Sequence, residues 1–268
     1  METVGELVRY RELVLNLVIR DLKVRYKNSV LGFLWSLVHP LLMMVIFTIV
    51  FTIMLPQSGV KNFPVFVLCG ILPWNFFSAS VVGSTNSIVG NAHLIKKVYF
   101  PREVLPISVV FSNLVNFLLA LAVLFVMIFL FGTRLTPWVL LLPLVILTQV
   151  VFTVGIAFAL STLNVFYRDT QVIMEVLMLA WFFLTPVFYP ITILPQSHLL
   201  LGFSLDVQRL AYILNPMASL IASYRVILYH GARPAFDFLL RTIITSLAIM
   251  LCGYFLFARY RWSFGEEL

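Results

Sequence analysis

Long apolar stretches without a charge divide this chain. No Asp, Glu, Lys or Arg occurs in the 33 residues between Lys27 and Lys61 or in the 34 between Lys61 and Lys96. Four similar stretches follow, between Glu103 and Arg134 (30 residues), Arg134 and Arg168 (33), Glu175 and Asp206 (30), and Arg241 and Arg259 (17). A membrane-spanning helix needs about 20 apolar residues, and a charge at its centre costs roughly 2.5 to 3.5 kcal/mol. The pattern therefore predicts six spans, at residues 32–55, 64–89, 106–131, 138–162, 172–190 and 238–258.

Composition supports this prediction, because 62% of the 268 residues are hydrophobic and only 11% are charged. With a mean hydropathy of +1.03, the chain has far more apolar surface than a water-soluble core of this size could bury. We therefore expect one all-α integral membrane domain over residues 1–268. The two cysteines, Cys69 and Cys252, lie in apolar stretches and are expected to be packed as small hydrophobic residues.

The distribution of Lys and Arg predicts the orientation. With the N-terminus in the cytoplasm, 12 of the 18 basic residues lie on the cytoplasmic side and 6 on the other. Basic residues concentrate in cytoplasmic loops, so both termini are expected inside. The net charge of +7 then needs no nucleic-acid partner.

Three segments outside the spans carry a pattern of their own. Residues 6–27 are amphipathic and predict a helix at the membrane interface with its apolar face towards lipid, or alternatively a helix packed on a soluble partner. A short basic stretch, 91–103, joins spans two and three. Residues 191–236 are apolar enough around 210–230 to suggest a seventh span. Because Asn215, Pro216 and Arg225 interrupt that run, we expect two short helices dipping into the outer leaflet instead.

The sequence carries no recognisable catalytic motif. There is no Gly-rich loop followed by Lys and Ser or Thr, and no arrangement typical of a nucleophilic triad or a metal site. We therefore expect no catalytic residues, no metal and no cofactor on this chain. The spans also lack the mid-membrane ionisable groups of ion-driven carriers. Two classes remain: a passive or structural membrane protein, and the membrane half of a machine driven by another subunit.

Five motifs, in the same order along nearly the whole chain, resemble the type-2 ABC exporter permeases of bacterial cell-surface polysaccharides. They are residues 25–35 with His39 and Pro40, residues 70–78, residues 96–106, residues 163–169, and Asn215 and Pro216 followed by Arg225. The resemblance implies a plasma (cell inner) membrane permease that forms a homodimer and is driven by two copies of a separate ATPase. ATP and Mg²⁺ would then be bound by that partner. The O-antigen exporters fit best, and teichoic acid and capsule exporters remain alternatives.

The resemblance also implies roles for particular residues. The helix that couples to the ATPase maps to the segment between spans two and three, where we name Asn91, His93, Leu94, Lys96, Lys97, Phe100, Pro101 and Arg102. The segment after span five, 191–236, would form short gate helices at the outer face.

Two further hypotheses concern the substrate. Aromatic residues near the middle of spans two and five could stack on sugars along a pathway, or simply face lipid and the membrane interfaces; they are Trp74, Phe76, Phe77, Trp181, Phe182 and Phe183. The basic residues Arg20, Arg25 and Lys27 lie just before span one. They could contact the diphosphate of a lipid-linked substrate as it enters, or serve only as a topology anchor.

Overall fold

A computed structural model describes residues 9–27, 29, 32–54, 60–132, 135–193, 195, 198–200 and 203–268. The described chain is a helical bundle with one short hairpin. The helices are α1 Arg11–Tyr26, α2 Trp35–Thr48, α3 Phe63–Thr85, α4 Ala92–Lys97, α5 Val104–Leu130, α6 Leu142–Phe166, α7 Thr170–Leu184, α8 Val207–Leu214, α9 Pro216–Leu228, α10 Phe236–Tyr260 and α11 Phe264–Glu267. Short 3₁₀ turns precede α2, α4 and α6, a π-helical turn, Ile49–Met54, continues α2, and the strands are β1 His198–Leu200 and β2 Phe203–Leu205.

Among the described residues, four helical segments are long and apolar enough to cross a membrane: α3, α5, α6 with its preceding turn, and α10. They coincide with predicted spans two, three, four and six to within a few residues. The pair α8 and α9 would make a fifth crossing if it were counted as one span, but it bends by 104°. Predicted spans one and five correspond to the shorter apolar helices α2 and α7. The described chain is therefore a multi-pass membrane protein.

The prediction for span five is wrong at its C-terminal end. Residues 172–190 were expected to be helical, but α7 ends at Leu184 and Thr185 adopts an extended conformation with φ −101° and ψ 132°. Pro186 explains the difference, because the residue before a proline is sterically pushed out of the helical region. Thr185, Pro186 and Val187 are nevertheless buried, so non-helical backbone lies inside the bundle.

Helix α3 forms the centre of the bundle. Most of its length is buried, and it packs against α2, α5, α6, α7 and α9. Helices α6 and α10 make the most extensive single contact. At their crossing, a Cβ on Gly253 would meet the carbonyl oxygen of Gly155, so the absence of side chains lets the two backbones touch.

The expected placement of the first helix needs correction. The face of α1 that was predicted to meet lipid tails contains Leu17 and Val18, which are both buried, and α1 packs on α5 of its own chain. Leu15 and Ile19 of the same helix are exposed. The apolar face of α1 therefore packs against α5 of the same protomer.

The segment 191–236 contains the two short helices that the sequence predicted, broken where expected. Asn215 ends α8 and caps α9, because its side chain accepts hydrogen bonds from the backbone N–H groups of Met217 (3.1 Å) and Ala218 (3.3 Å). Pro216 occupies the first turn of α9, where its missing N–H costs nothing. The antiparallel hairpin of β1 and β2 just before α8 was not anticipated by the all-α prediction.

Candidate functional site

The segment 91–102 lies at one end of the bundle, in the short connection between α3 and α5. Helix α4 covers only part of it, and the chain is extended from Val98. His93, Lys96 and Lys97 are exposed, while Asn91, Leu94, Phe100, Pro101 and Arg102 are partly buried. Asn91 joins the segment to its surroundings: its side chain donates to the Ser87 carbonyl (2.8 Å) and accepts from Arg20 of α1 (3.4 Å).

The end of this segment is fastened to the C-terminal residues of the chain. The Glu103 side chain is fully buried and forms an ion pair with Arg261, with 2.5 Å between Oε1 and Nη1. Arg102 donates to the Arg261 carbonyl oxygen, and its guanidinium carbon lies 5.9 Å from the Phe264 ring centroid. Burial lowers the pKa of Arg102 from its ordinary value. This connection is not predictable from the sequence, since its partners are more than 150 residues apart.

The basic residues before span one do not form one cluster. Arg20 pairs with its neighbour Asp21 (3.0 Å), and Lys27 is exposed. Arg25 donates to the side chain of Asn113 in α5 (2.8 Å) and lines a cavity of about 570 Å³ between α2, α3 and α5. The role of these residues in substrate entry stays a prediction, and Asn113 is a partner that the sequence alone did not identify.

The two groups of aromatic residues meet inside the bundle. Phe77 of α3 contacts Trp181 of α7 edge to face, with 5.1 Å between ring centroids, and Trp74 lies 5.5 Å from Phe182. Trp74 and Phe77 are buried, as is Phe76, which stacks on Phe117 of α5 at 5.2 Å.

The α7 rings are more accessible than those of α3. Phe183 is exposed, and Trp181 and Phe182 are partly buried. Trp74 and Phe182 line a cavity of about 340 Å³ between α3 and α7, and Phe76 lines the cavity beside Arg25. A substrate pathway along these rings stays a prediction.

Arg225, which the sequence places in the fifth motif without indicating a role, is a buried cation. It lies in α9, is only 6% exposed, and has no acidic partner among the described residues. Its guanidinium donates to the carbonyl oxygens of Pro186 (2.5 Å) and Val187 and rests 3.7 Å from the centroid of the Phe66 ring. These carbonyls follow the break at the end of α7 and have lost their helical partners. Arg225 thus supplies hydrogen-bond donors to backbone carbonyl groups that lie in a non-helical conformation inside the bundle.

A second buried polar connection joins α3, α6 and α9. The Gln149 side chain donates to the Pro73 carbonyl (2.8 Å) and accepts from the Tyr224 hydroxyl (2.7 Å), and both side chains are fully buried. Together with Arg225, this network attaches α9 to the central helix through polar contacts. A buried Gln in an apolar span is the sequence signal that could have drawn attention to it.

The model of the family described as "ABC-2 type transporter" matches residues 12–229 of this chain. The chain belongs to the ABC-2 type transporter family. It is 38% identical over 265 residues to the O-antigen export system permease protein RfbA of Myxococcus xanthus, covering 99% of this chain and 98% of that protein. Two Klebsiella pneumoniae proteins of the same name are 34% and 33% identical over 250 residues, covering 93% of this chain and 92% of each.

Family membership agrees with the resemblance seen in the five motifs. It also agrees with the apolar helices of the described chain, since the ABC-2 family consists of membrane components of transporters. Membership of an ABC family further implies association with an ABC ATPase.

Proposed function

We propose that this chain is the permease subunit of an ATP-driven exporter that moves a lipid-linked polysaccharide of the O-antigen type across the plasma membrane. The observation that carries the proposal is the similarity to proteins named as O-antigen export permeases, which extends over 99% of this chain and 98% of the Myxococcus protein. The five motifs lie within that similar region in the expected order.

In this proposal the chain acts as a homodimer with two copies of a separate ATPase that binds ATP and Mg²⁺. Six spans then run through α2, α3, α5, α6, α7 and α10, with both termini in the cytoplasm. Two features support this count. Residues 32–54 form a continuous helical run that could cross a hydrocarbon core of about 30 Å at about 1.5 Å per residue. The bend of 104° between α8 and α9 suits a re-entrant pair that forms the outer gate better than a straight crossing.

The proposed coupling site is the segment 91–102, at the cytoplasmic end of α3 and α5. Its charged residues Lys96 and Lys97 are exposed and therefore accessible to an ATPase. The proposed pathway runs between α3 and α7, where the aromatic residues of both helices meet. Arg25, which lines a cavity together with its partner Asn113, is the proposed contact for the diphosphate of the carrier lipid.

The test is reconstitution of the chain with its ATPase in lipid nanodiscs. We expect O-antigen linked to a polyprenyl diphosphate to raise ATP hydrolysis, and teichoic acid or capsule precursors to raise it less. Stimulation by those precursors alone would replace the O-antigen proposal with one of the alternatives. A chain that forms no complex with the ATPase would refute the proposal as a whole.

Charge reversal at both Lys96 and Lys97 tests the coupling site in the same system. We expect the stimulation to disappear while membrane insertion is retained, because exposed side chains contribute little to folding. Unchanged stimulation would place the coupling site elsewhere.

A further inference from the structure

A cavity of about 310 Å³ opens between the segment 91–102 and the C-terminal residues of the chain. One wall is formed by residues 95–103 and the other by Arg261 and Trp262, with Tyr10 at the edge. We propose that the ATPase docks an acidic surface segment in this cavity, so that Arg261 and Trp262, which begin the C-terminal tail (residues 261–268), are part of the docking surface. The inference rests on the proposed function, because it requires the ATPase partner.

The charge of the cavity indicates the chemistry of its occupant. The described residues that line it include four basic ones, Lys96, Lys97, Arg102 and Arg261, and one acidic one. That residue, Glu103, is fully buried and already paired with Arg261, so it offers no negative charge to an incoming group. Carboxylates on the partner would therefore meet a lining of net positive charge, and Glu266 and Glu267 of the tail are exposed but are not among the lining residues.

Two exposed aromatic side chains flank the opening. Tyr99 is 86% exposed and Trp262 is 66% exposed. The Arg261 guanidinium lies 5.0 Å from the centroid of the Trp262 ring, which holds the indole beside the basic lining. Trp, Tyr and Arg are the residues that most often dominate binding energy in protein interfaces. An apolar side chain of the docked segment would pack against these rings.

The tail is held firmly enough to form a binding surface. Phe264 is fully buried and packs on Phe257 at the end of α10 (5.3 Å between centroids) and on Phe166 at the end of α6 (6.4 Å). The Glu103–Arg261 pair and the Arg102 hydrogen bond then fasten the tail to the start of α5. A segment docked here would contact both the connection between α3 and α5 and the tail that follows α10.

The experiment measures binding of the ATPase to the full chain in nanodiscs made only of zwitterionic lipid. We expect Trp262→Ala to weaken binding by about tenfold or more, as truncation of a central aromatic residue does. The control is Tyr167→Ala, which removes a side chain that is 70% exposed in the connection between α6 and α7, outside the cavity. This control should change binding less than about twofold.

The outcomes separate the inference from the proposed function. If charge reversal at Lys96 and Lys97 abolishes binding while Trp262→Ala leaves it unchanged, the tail is not part of the surface and the inference is overturned alone. An equal loss with Tyr167→Ala also overturns it, because the effect is then not specific to the cavity. A Trp262→Ala defect that appears only when anionic lipid is added would assign the cavity to lipid head groups. If the wild-type chain binds no ATPase, the proposed function fails as well.

Discussion

Replacing Arg225 by Lys separates the geometry of the buried guanidinium from its charge. The structure shows two short hydrogen bonds, to the carbonyl oxygens of Pro186 and Val187, and longer ones to Tyr189 (3.4 Å) and Phe66 (3.5 Å). A planar fork can serve several acceptors at once, whereas an ammonium group on a flexible stem acts as a point charge. We expect Lys to keep one of the two short contacts and to lose the other.

The expected loss follows from those contacts. A hydrogen bond to a charged group is worth about 1.5–3 kcal/mol, and the stacking of the cation on Phe66 adds roughly 0.5–2 kcal/mol. Loss of one such bond and part of the stacking should lower the free energy of unfolding by about 2–4 kcal/mol. Gly70→Ala should act in the same direction, because a Cβ there would lie 2.8 Å from Nη2 of Arg225 and would also press on the Val187 carbonyl.

The measurement is reversible unfolding by SDS in mixed micelles, followed by tryptophan fluorescence. Arg241→Lys is the matched control, since the described contacts of Arg241 are one hydrogen bond of 3.5 Å to Ser219 and a ring contact at 5.1 Å with Phe238. We expect that control to cost less than about 1 kcal/mol. If Arg225→Lys were as mild as the control, Arg225 would not be the group that stabilises the break at Pro186.

Three further predictions follow from other contacts. Gly253→Ala should separate α10 from α6 and cost about 1–3 kcal/mol in the same unfolding assay, because the new Cβ would collide with the Gly155 carbonyl; a variant with wild-type stability would contradict the close crossing. Tyr224→Phe should cost about 1–2 kcal/mol by leaving the Gln149 side-chain oxygen without its buried donor, and a neutral result would mean that water or another group replaces the hydroxyl. Reporter fusions after Leu268 should be active only in the cytoplasm, given the bias of basic residues; an external C-terminus would refute the six-span topology.

The positions of the long uncharged stretches in the sequence predict much of this fold. Because a charge inside the membrane is costly, uncharged stretches of 30 or more residues place spans two, three and four to within a few residues, whatever the helices pack against. The break at Asn215 and Pro216 could also be predicted from neighbouring residues alone, because Asn often caps a helix and Pro often occupies its first turn. Pro186 also indicates a helix break, but the apolar composition of residues 172–190 predicts a span that continues past it.

Contacts between distant parts of the chain were decided only by the tertiary structure. Hydropathy describes how a residue interacts with its solvent, so it predicts that α1 has an apolar face but not that α5 covers it. Likewise, nothing near Arg225 in sequence identifies its acceptors at Pro186 and Val187, and nothing near Glu103 identifies Arg261. Hydrogen bonds and ion pairs act over a few ångströms between side chains that only folding brings together. The spans were therefore fixed by residue chemistry along the chain, and the partners of the buried charges by the packing of the helices.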